Sequence, residues 1–274
     1  MAKTKWRKYG LKSSNSGDGT VGKALEVLDM VASFERPIRF SELLEASPYP
    51  KATLYRLVQT LTNQRMLSYD PESQYYRLGI RLVKLAHVAW ASSSIAPVVR
   101  PHIDALSRDL GEVVHLAQLD NAQVLYIDKR NAGETIPMYS QAGKVGPAYC
   151  TGVGKTMMAF LPKDELDEIV SQQSFHRFTP KTLADAESLK AELQAIRDRG
   201  YGFDDEEHEP EIICVALPLL SSSGRVLGGI SVTSTTNKTD LNGLASFVPR
   251  MREAARDIQE EVQNWRFPDQ TFTK

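Results

Sequence analysis

Cysteine is scarce in this chain. Its 274 residues hold two, Cys150 and Cys214, and neither sits in a CxxC pair. That excludes a disulfide scaffold and any zinc-finger spacing, and it fits a reduced, cytoplasmic setting. Long apolar runs are missing as well. No stretch of about 18 apolar residues occurs, so there is no candidate membrane helix. No apolar segment follows the opening Met1-Ala2-Lys3-Thr4-Lys5, so the start does not read as a secretory leader. The chain lacks a P-loop, a GxGxxG after a strand and an internal repeat, which removes the common nucleotide-binding and solenoid readings. Charge of one sign is also lacking. Thirty-three Lys and Arg face 34 Asp and Glu, a net of −1. A uniformly basic nucleic-acid coat and a polybasic membrane-surface protein are both disfavoured.

What is present is unevenly divided. Residues 1–80 hold 12 basic and 8 acidic groups, a net of +4, and residues 81–274 hold 21 and 26, a net of −5. Lys3, Lys5, Arg7, Lys8 and Lys12 come before any acid, and residues 12–20 are small and polar. Residues 1–20 are therefore expected to form a flexible basic arm, either a solvated tail or a segment that neutralises phosphates.

Residues 21–79 read as a winged helix-turn-helix. Val21, Leu25, Leu28 and Ala32 recur at helical spacing until Pro37, and residues 41–46 form a short second helix with Leu43 and Leu44 inward. A third helix spans about residues 51–64, opened by Pro50, with Leu54, Leu57, Val58 and Leu61 as its apolar face. Its other face offers Lys51, Thr53, Tyr55, Arg56, Gln59 and Thr60, and no acid lies between Pro50 and Tyr69. A carboxylate there would repel phosphate. Residues 66–69 and 75–78 are two strands of a hairpin. The third helix would enter the major groove of double-stranded DNA and the hairpin would flank the backbone. Lys51, Thr53, Tyr55, Arg56, Thr60 and Arg77 are the candidate DNA contacts. A small helical module that binds protein is the competing reading.

Residues 80–94 predict a helix with Leu82, Leu85, Ala86 and Ala89 on one stripe, which a second copy of the chain would cover. From residue 95 strands and helices mix. The expected order is a helix to Leu110, a hairpin over 113–119 and 124–130, an irregular stretch at 143–151, and a helix from Gly152 to Phe160. Helices then occupy 163–171 and 185–199, the second opened by Thr182 and Asp185. Strands follow at 212–219 and 226–234, and one last helix at 242–265. Hairpin-linked strands with helices against them make an antiparallel α+β domain over residues 95–274.

Four features could converge there. Gly152-Val153-Gly154-Lys155 opens a helix, whose free N–H groups suit an anion. Asp204 lies in an acidic loop, Cys214 starts an apolar strand, and Ser231 and Thr233 share one side of another. The competing reading is a core cysteine, close-packing glycines and a solvated loop. A thiol enzyme pairing Cys150 or Cys214 with His115 or His208 is not placed by the sequence. Asp204 to Glu207 alternate in direction and make a poor metal cage. His102, His115 and His176 show no ligand spacing, so no metal or cofactor is expected.

Three ordered motifs carry a resemblance. Ala52-Thr53-Leu54-Tyr55-Arg56-Leu57, then Gly152-Val153-Gly154-Lys155, then Gly200-Tyr201-Gly202-Phe203-Asp204-Asp205-Glu206-Glu207 ahead of Cys214 look like the IclR family of bacterial transcription regulators, across about residues 21–265. Met138-Tyr139-Ser140-Gln141-Ala142-Gly143 and the closing Ala254-Ala255-Arg256-Asp257-Ile258 most resemble its KdgR branch, whose members respond to 2-keto-3-deoxygluconate. The resemblance implies a DNA-binding winged helix at 21–79, a linker and dimerisation helix at 80–94, and a GAF-like effector-binding domain at 95–274. It implies a homodimer or homotetramer on operator DNA that answers to a small organic acid and has no catalytic activity. It carries the pocket onto Gly152, Val153, Asp204, Cys214, Ser231 and Thr233. Two departures stand out. Val153 replaces a common Ala, and Glu211 replaces a usual Gly, which would bring an extra carboxylate to an anion site and favour a neutral ligand such as a lactone.

Overall fold

The computed structural model describes residues 19–93, 95–131, 133 and 136–264. Most of the expected basic arm lies outside the described residues. Its last two members, Gly19 and Thr20, do not belong to it, because they open the first helix. The chain divides into two compact units, Met1–Ala91 and Ser92–Lys274.

In the first unit α1 (Gly19–Ser33), α2 (Phe40–Ala46) and α3 (Lys51–Asn63) enclose a core with β1 (Ile38–Arg39), β2 (Leu67–Asp70) and β3 (Tyr75–Leu78). Val27, Met30, Val31, Leu43, Leu54, Leu57, Val58 and Leu61 are buried together with Leu67 and Tyr76. Each fully buried aliphatic side chain contributes roughly 2 kcal/mol. The sheet order is β1-β3-β2, so the hairpin gains a third strand absent from the sequence reading. Pro50 stands at the N-cap of α3 without a side-chain bond, and Ser47 Oγ instead accepts the Tyr49 N–H at 3.0 Å. A helix α4 (Ile80–Ser93) follows. Its Leu82 packs on the first unit's core, while Ile80, Val83, Leu85 and Val88 stay exposed.

The second unit opens with α5 (Ala96–Leu110), stopped by Gly111 at φ 65°, a left-handed position that suits glycine. Then come β4 (Val113–Asp120), β5 (Gln123–Asn131), β6 (Val145–Pro147), α6 (Gly152–Ala159), α7 (Lys163–Ser171), α8 (Ala186–Arg199), β7 (Gly202–Asp205), β8 (Ile212–Leu220), β9 (Val226–Thr235), α9 (Leu241–Ala245) and α10 (Val248–Asn264). The six strands form one antiparallel sheet in the order β6-β5-β4-β9-β8-β7. Helix α6 is wholly buried and packs on β4, β5, β7, β8 and β9, and α5 packs with α10 against β4, β5 and β8. Alternation along β8 gives Cys214 and Ala216 to one face and Val215 and Leu217 to the other. This is the expected winged helix joined to an antiparallel α+β unit. Among the described residues no helix is long and apolar enough to cross a membrane.

Three local expectations change. The acidic loop at Asp204 is a strand, β7, paired with β8. The last helix is two helices, because Asp240 caps α9 by accepting the Gly243 N–H at 2.7 Å and Pro249 sits in the first turn of α10. Asp185, not Thr182, caps α8, accepting the Ser188 N–H at 2.8 Å.

Candidate functional site

The sheet register assembles a site. Directly opposed residues on neighbouring antiparallel strands share a face. Asp204 faces Cys214 and Cys214 faces Thr233, which makes one row across β7, β8 and β9. Ser231 faces His115 on β4 in the next row. The N-terminus of α6 lies over these rows. Gly152 is pressed against β7 and β8, and a Cβ there would stand 2.5 Å from Cys214 Sγ and 3.0 Å from the Asp204 nitrogen. Val153 is similarly close to Gly229.

Between them is a cavity of about 30 Å³, room for about one water molecule, so a larger occupant has to part its walls. All six pocket residues expected from the sequence line it: Gly152, Val153, Asp204, Cys214, Ser231 and Thr233. The sequence reading missed Tyr126, Ser140, Thr151, Glu209 and Ile212, and named His115 and His208 only as bases or metal ligands. Alternation along β4 and β5 was the signal available for His115 and Tyr126. Ser140, His208 and Glu209 come from loops and carried none.

The electrostatics are local. Thr151 caps α6 without a side-chain bond, its hydroxyl donating instead to the Pro147 carbonyl at 2.8 Å, and the Gly152 backbone bonds the Cys214 thiol. Burial, and then the charge of Glu207, push the Asp204 carboxyl up to about 8. Its Oδ1 accepts the Glu207 N–H at 2.8 Å. Glu207 is ion-paired to the buried Lys155. Asp204 is therefore largely protonated at neutral pH and offers a donor to the cavity. Burial also pushes both thiols far up, which leaves neither a thiolate and argues against a thiol nucleophile. Glu211 does not reach the cavity. It is exposed at φ 66°, which explains why glycine suits that position. The second acid lining the cavity, beside Asp204, is Glu209, whose two carboxylate oxygens accept the Tyr139 N–H at 3.0 Å. Among the described residues no cluster of His, Cys, Asp and Glu could hold a metal ion.

In the first unit, Lys51, Tyr55, Arg56 and Thr60 are exposed on α3, Thr53 is half-buried, and Arg77 is exposed on β3. The Tyr55 ring packs edge-on against Phe40 at 5.9 Å. Thr60 Oγ1 donates back to the Arg56 carbonyl at 2.9 Å, which leaves its lone pairs to accept. No acid interrupts this face.

A winged helix carried with a separate unit that encloses a small polar cavity is the build of a ligand-responsive DNA-binding regulator. The comparisons agree. The IclR helix-turn-helix domain matches residues 20–71, and the bacterial transcriptional regulator IclR C-terminal domain matches residues 87–260. The chain belongs to the IclR family of bacterial transcriptional regulators. It is 31% identical to the HTH-type transcriptional regulator XynR of Escherichia coli K12, over 86% of this chain and 93% of that protein. It is 30% identical to the regulator KdgR of the same organism, over 91% and 95%. An IclR homolog from Microbacterium hydrocarbonoxydans, complexed with 4-hydroxybenzoate, shares the fold with a TM-score of 0.78 at 21% identity, over 90% of this chain and 100% of that one. These relatives are transcriptional regulators, not enzymes, and the KdgR match agrees with the branch that the sequence motifs resemble.

Proposed function

We propose that this regulator represses a catabolic operon as a cytoplasmic homodimer or dimer of dimers, and that a small organic acid in the cavity relieves repression. The effector is a sugar acid or a keto or hydroxy acid of the 2-keto-3-deoxygluconate kind. The observation that carries this is the cavity itself, where helix N–H groups, a protonated Asp204 and the Ser231 and Thr233 hydroxyls converge. A helix N-terminus favours an anion by about 0.3–2 kcal/mol. The resemblance to KdgR and the aromatic acid named for the Microbacterium homolog support the same class. Glu209 favours a second reading, in which a lactone or another neutral hydroxylated compound is the effector, because its charge opposes an anion.

On the DNA side, α3 reads the major groove through Lys51, Thr53, Tyr55, Arg56 and Thr60, Arg77 holds the backbone, and the exposed apolar residues of α4 are covered by a second copy.

Thermal unfolding of the full chain against sugar acids, keto acids, hydroxy acids and lactones tests the cavity. An effector at a hundredfold its Kd stabilises by about 2.7 kcal/mol, and Asp204→Ala or Ser231→Ala removes the shift. If no compound shifts unfolding and both variants induce normally, the reading fails. Arg56→Ala is expected to weaken operator binding by about 1–3 kcal/mol in gel-shift titration. Unchanged affinity would remove Arg56 from the reading face.

A further inference from the structure

The cavity contains a histidine placed between two hydroxyls. His115 is 1% exposed. Its Nε2 lies 3.0 Å from Ser140 Oγ and its Nδ1 lies 3.4 Å from Thr233 Oγ1. The Tyr126 ring packs edge-on against it at 5.5 Å. All four residues line the same cavity. Burial, and then the charge of Lys129, push the imidazole down to about 3, so it is neutral across the physiological range.

A neutral imidazole has one N–H and one bare nitrogen. Whichever tautomer is present, it donates to one of the two hydroxyls and accepts from the other. The hydroxyl that receives the ring proton keeps its own proton to give. The hydroxyl that donates to the ring has spent its proton and presents only lone pairs. Exchanging the tautomer swaps the two roles and leaves the sum unchanged: one donor and one acceptor-only oxygen.

We propose that His115 is a specificity-determining residue, polarising Ser140 and Thr233 so that the cavity selects a hydroxy acid over the keto acid of the same skeleton. The inference rests on the reading of the cavity as the effector site. A hydroxy acid supplies an acceptor for the donor and an O–H for the acceptor-only oxygen. A keto group has no proton to give, so it leaves lone pairs facing lone pairs, and an unpaired buried polar group is costly. Polar recognition of this kind discriminates more sharply than a difference of shape.

The test is calorimetric titration of the full chain with matched pairs: lactate and pyruvate, 2-hydroxyglutarate and 2-oxoglutarate, gluconate and 2-ketogluconate. The wild-type chain is expected to hold the hydroxy member of a bound pair about tenfold tighter, the weight of one well-made hydrogen bond. His115→Phe keeps a ring and removes both directed bonds, so the ratio falls to about one. Ser140→Ala and Thr233→Val make the test independent of that variant's folding. One of them flattens the ratio, and the other weakens both members alike. Retained operator binding in each variant shows that the chain is folded. Equal affinities for the two members in the wild type, or a ratio that survives all three substitutions, overturn the proposal and leave the effector cavity standing. A wild-type chain that takes up none of the six acids also overturns the proposal, and the thermal screen decides the effector cavity separately.

Discussion

Asp204 shows how one side chain's surroundings set its chemistry. It sits where β7 meets α6, buried, beside the Lys155–Glu207 pair, and its carboxyl is raised to about 8. The consequence for stability has a definite sign. Below about pH 4 the carboxyl is protonated in both the folded and the unfolded chain. As pH rises the unfolded chain gives up its proton first, so folding loses stability until the folded carboxyl ionises near pH 8. Asp204→Asn keeps an oxygen for the Glu207 N–H and removes the titration. The variant is therefore expected to gain on the wild type steadily between pH 4 and 8 in urea unfolding. A constant difference across that range would mean that Asp204 is not held protonated. Gly152, next to it, shows a different constraint. It was legible in the sequence as the start of a helix, but the reason no side chain fits was not, since the obstructing atoms come from residues more than fifty positions later.

At the level of elements, what repeats with a regular period was readable and what depends on pairing was not. The apolar face of α3 and the alternation of β5 are periodic, β4, β8 and β9 are largely buried runs, and all of them appear where the sequence places them. Strand β7 is four residues long, holds two acids and is made a strand by β8. Strand β6 contains Pro147 and is tolerated as an edge strand, where an N–H is not needed. The break between α9 and α10 did carry a signal in Pro249, which a continuous apolar stripe obscured. Two candidate caps of α8 separate cleanly. Asp185→Ala removes an exposed cap and is expected to cost about 1 kcal/mol. Thr182→Val should cost more, because its buried hydroxyl accepts from Phe178 and Thr179 and donates to the Glu207 carbonyl at 2.6 Å. Chemical unfolding of the two variants gives the order. The reverse order would mean that the buried Thr182 network holds less than the exposed cap.

For the whole molecule, the charge division becomes sharper once the first helix is located. Residues 19–80 hold seven basic and seven acidic groups, so the +4 of the N-terminal part resides entirely in residues 1–18. The proposed reading face on α3 owes its suitability to a local absence of acids rather than to net charge. Removing residues 1–12 deletes five cations, and the slope of log affinity against log salt is expected to fall by up to about 4 in operator titrations. An unchanged slope would mean that the arm touches no phosphate. Assembly is a separate matter. Val83 and Val88 are 63% and 56% exposed on α4. Val83→Glu with Val88→Glu is expected to dissociate the proposed homodimer in sedimentation velocity and to weaken binding to paired half-sites. An intact assembly would place the interface elsewhere. The cavity itself has walls of two kinds. Ser231, Thr233 and His115 stand on the two central strands of the sheet, where every change disturbs a core, whereas Ser140, His208 and Glu209 hang from loops. For the proposed effector site this gives a designer of biosensors a fixed reading head and an interchangeable rim, and libraries confined to those three loop positions are expected to retune the signal molecule while sparing the scaffold.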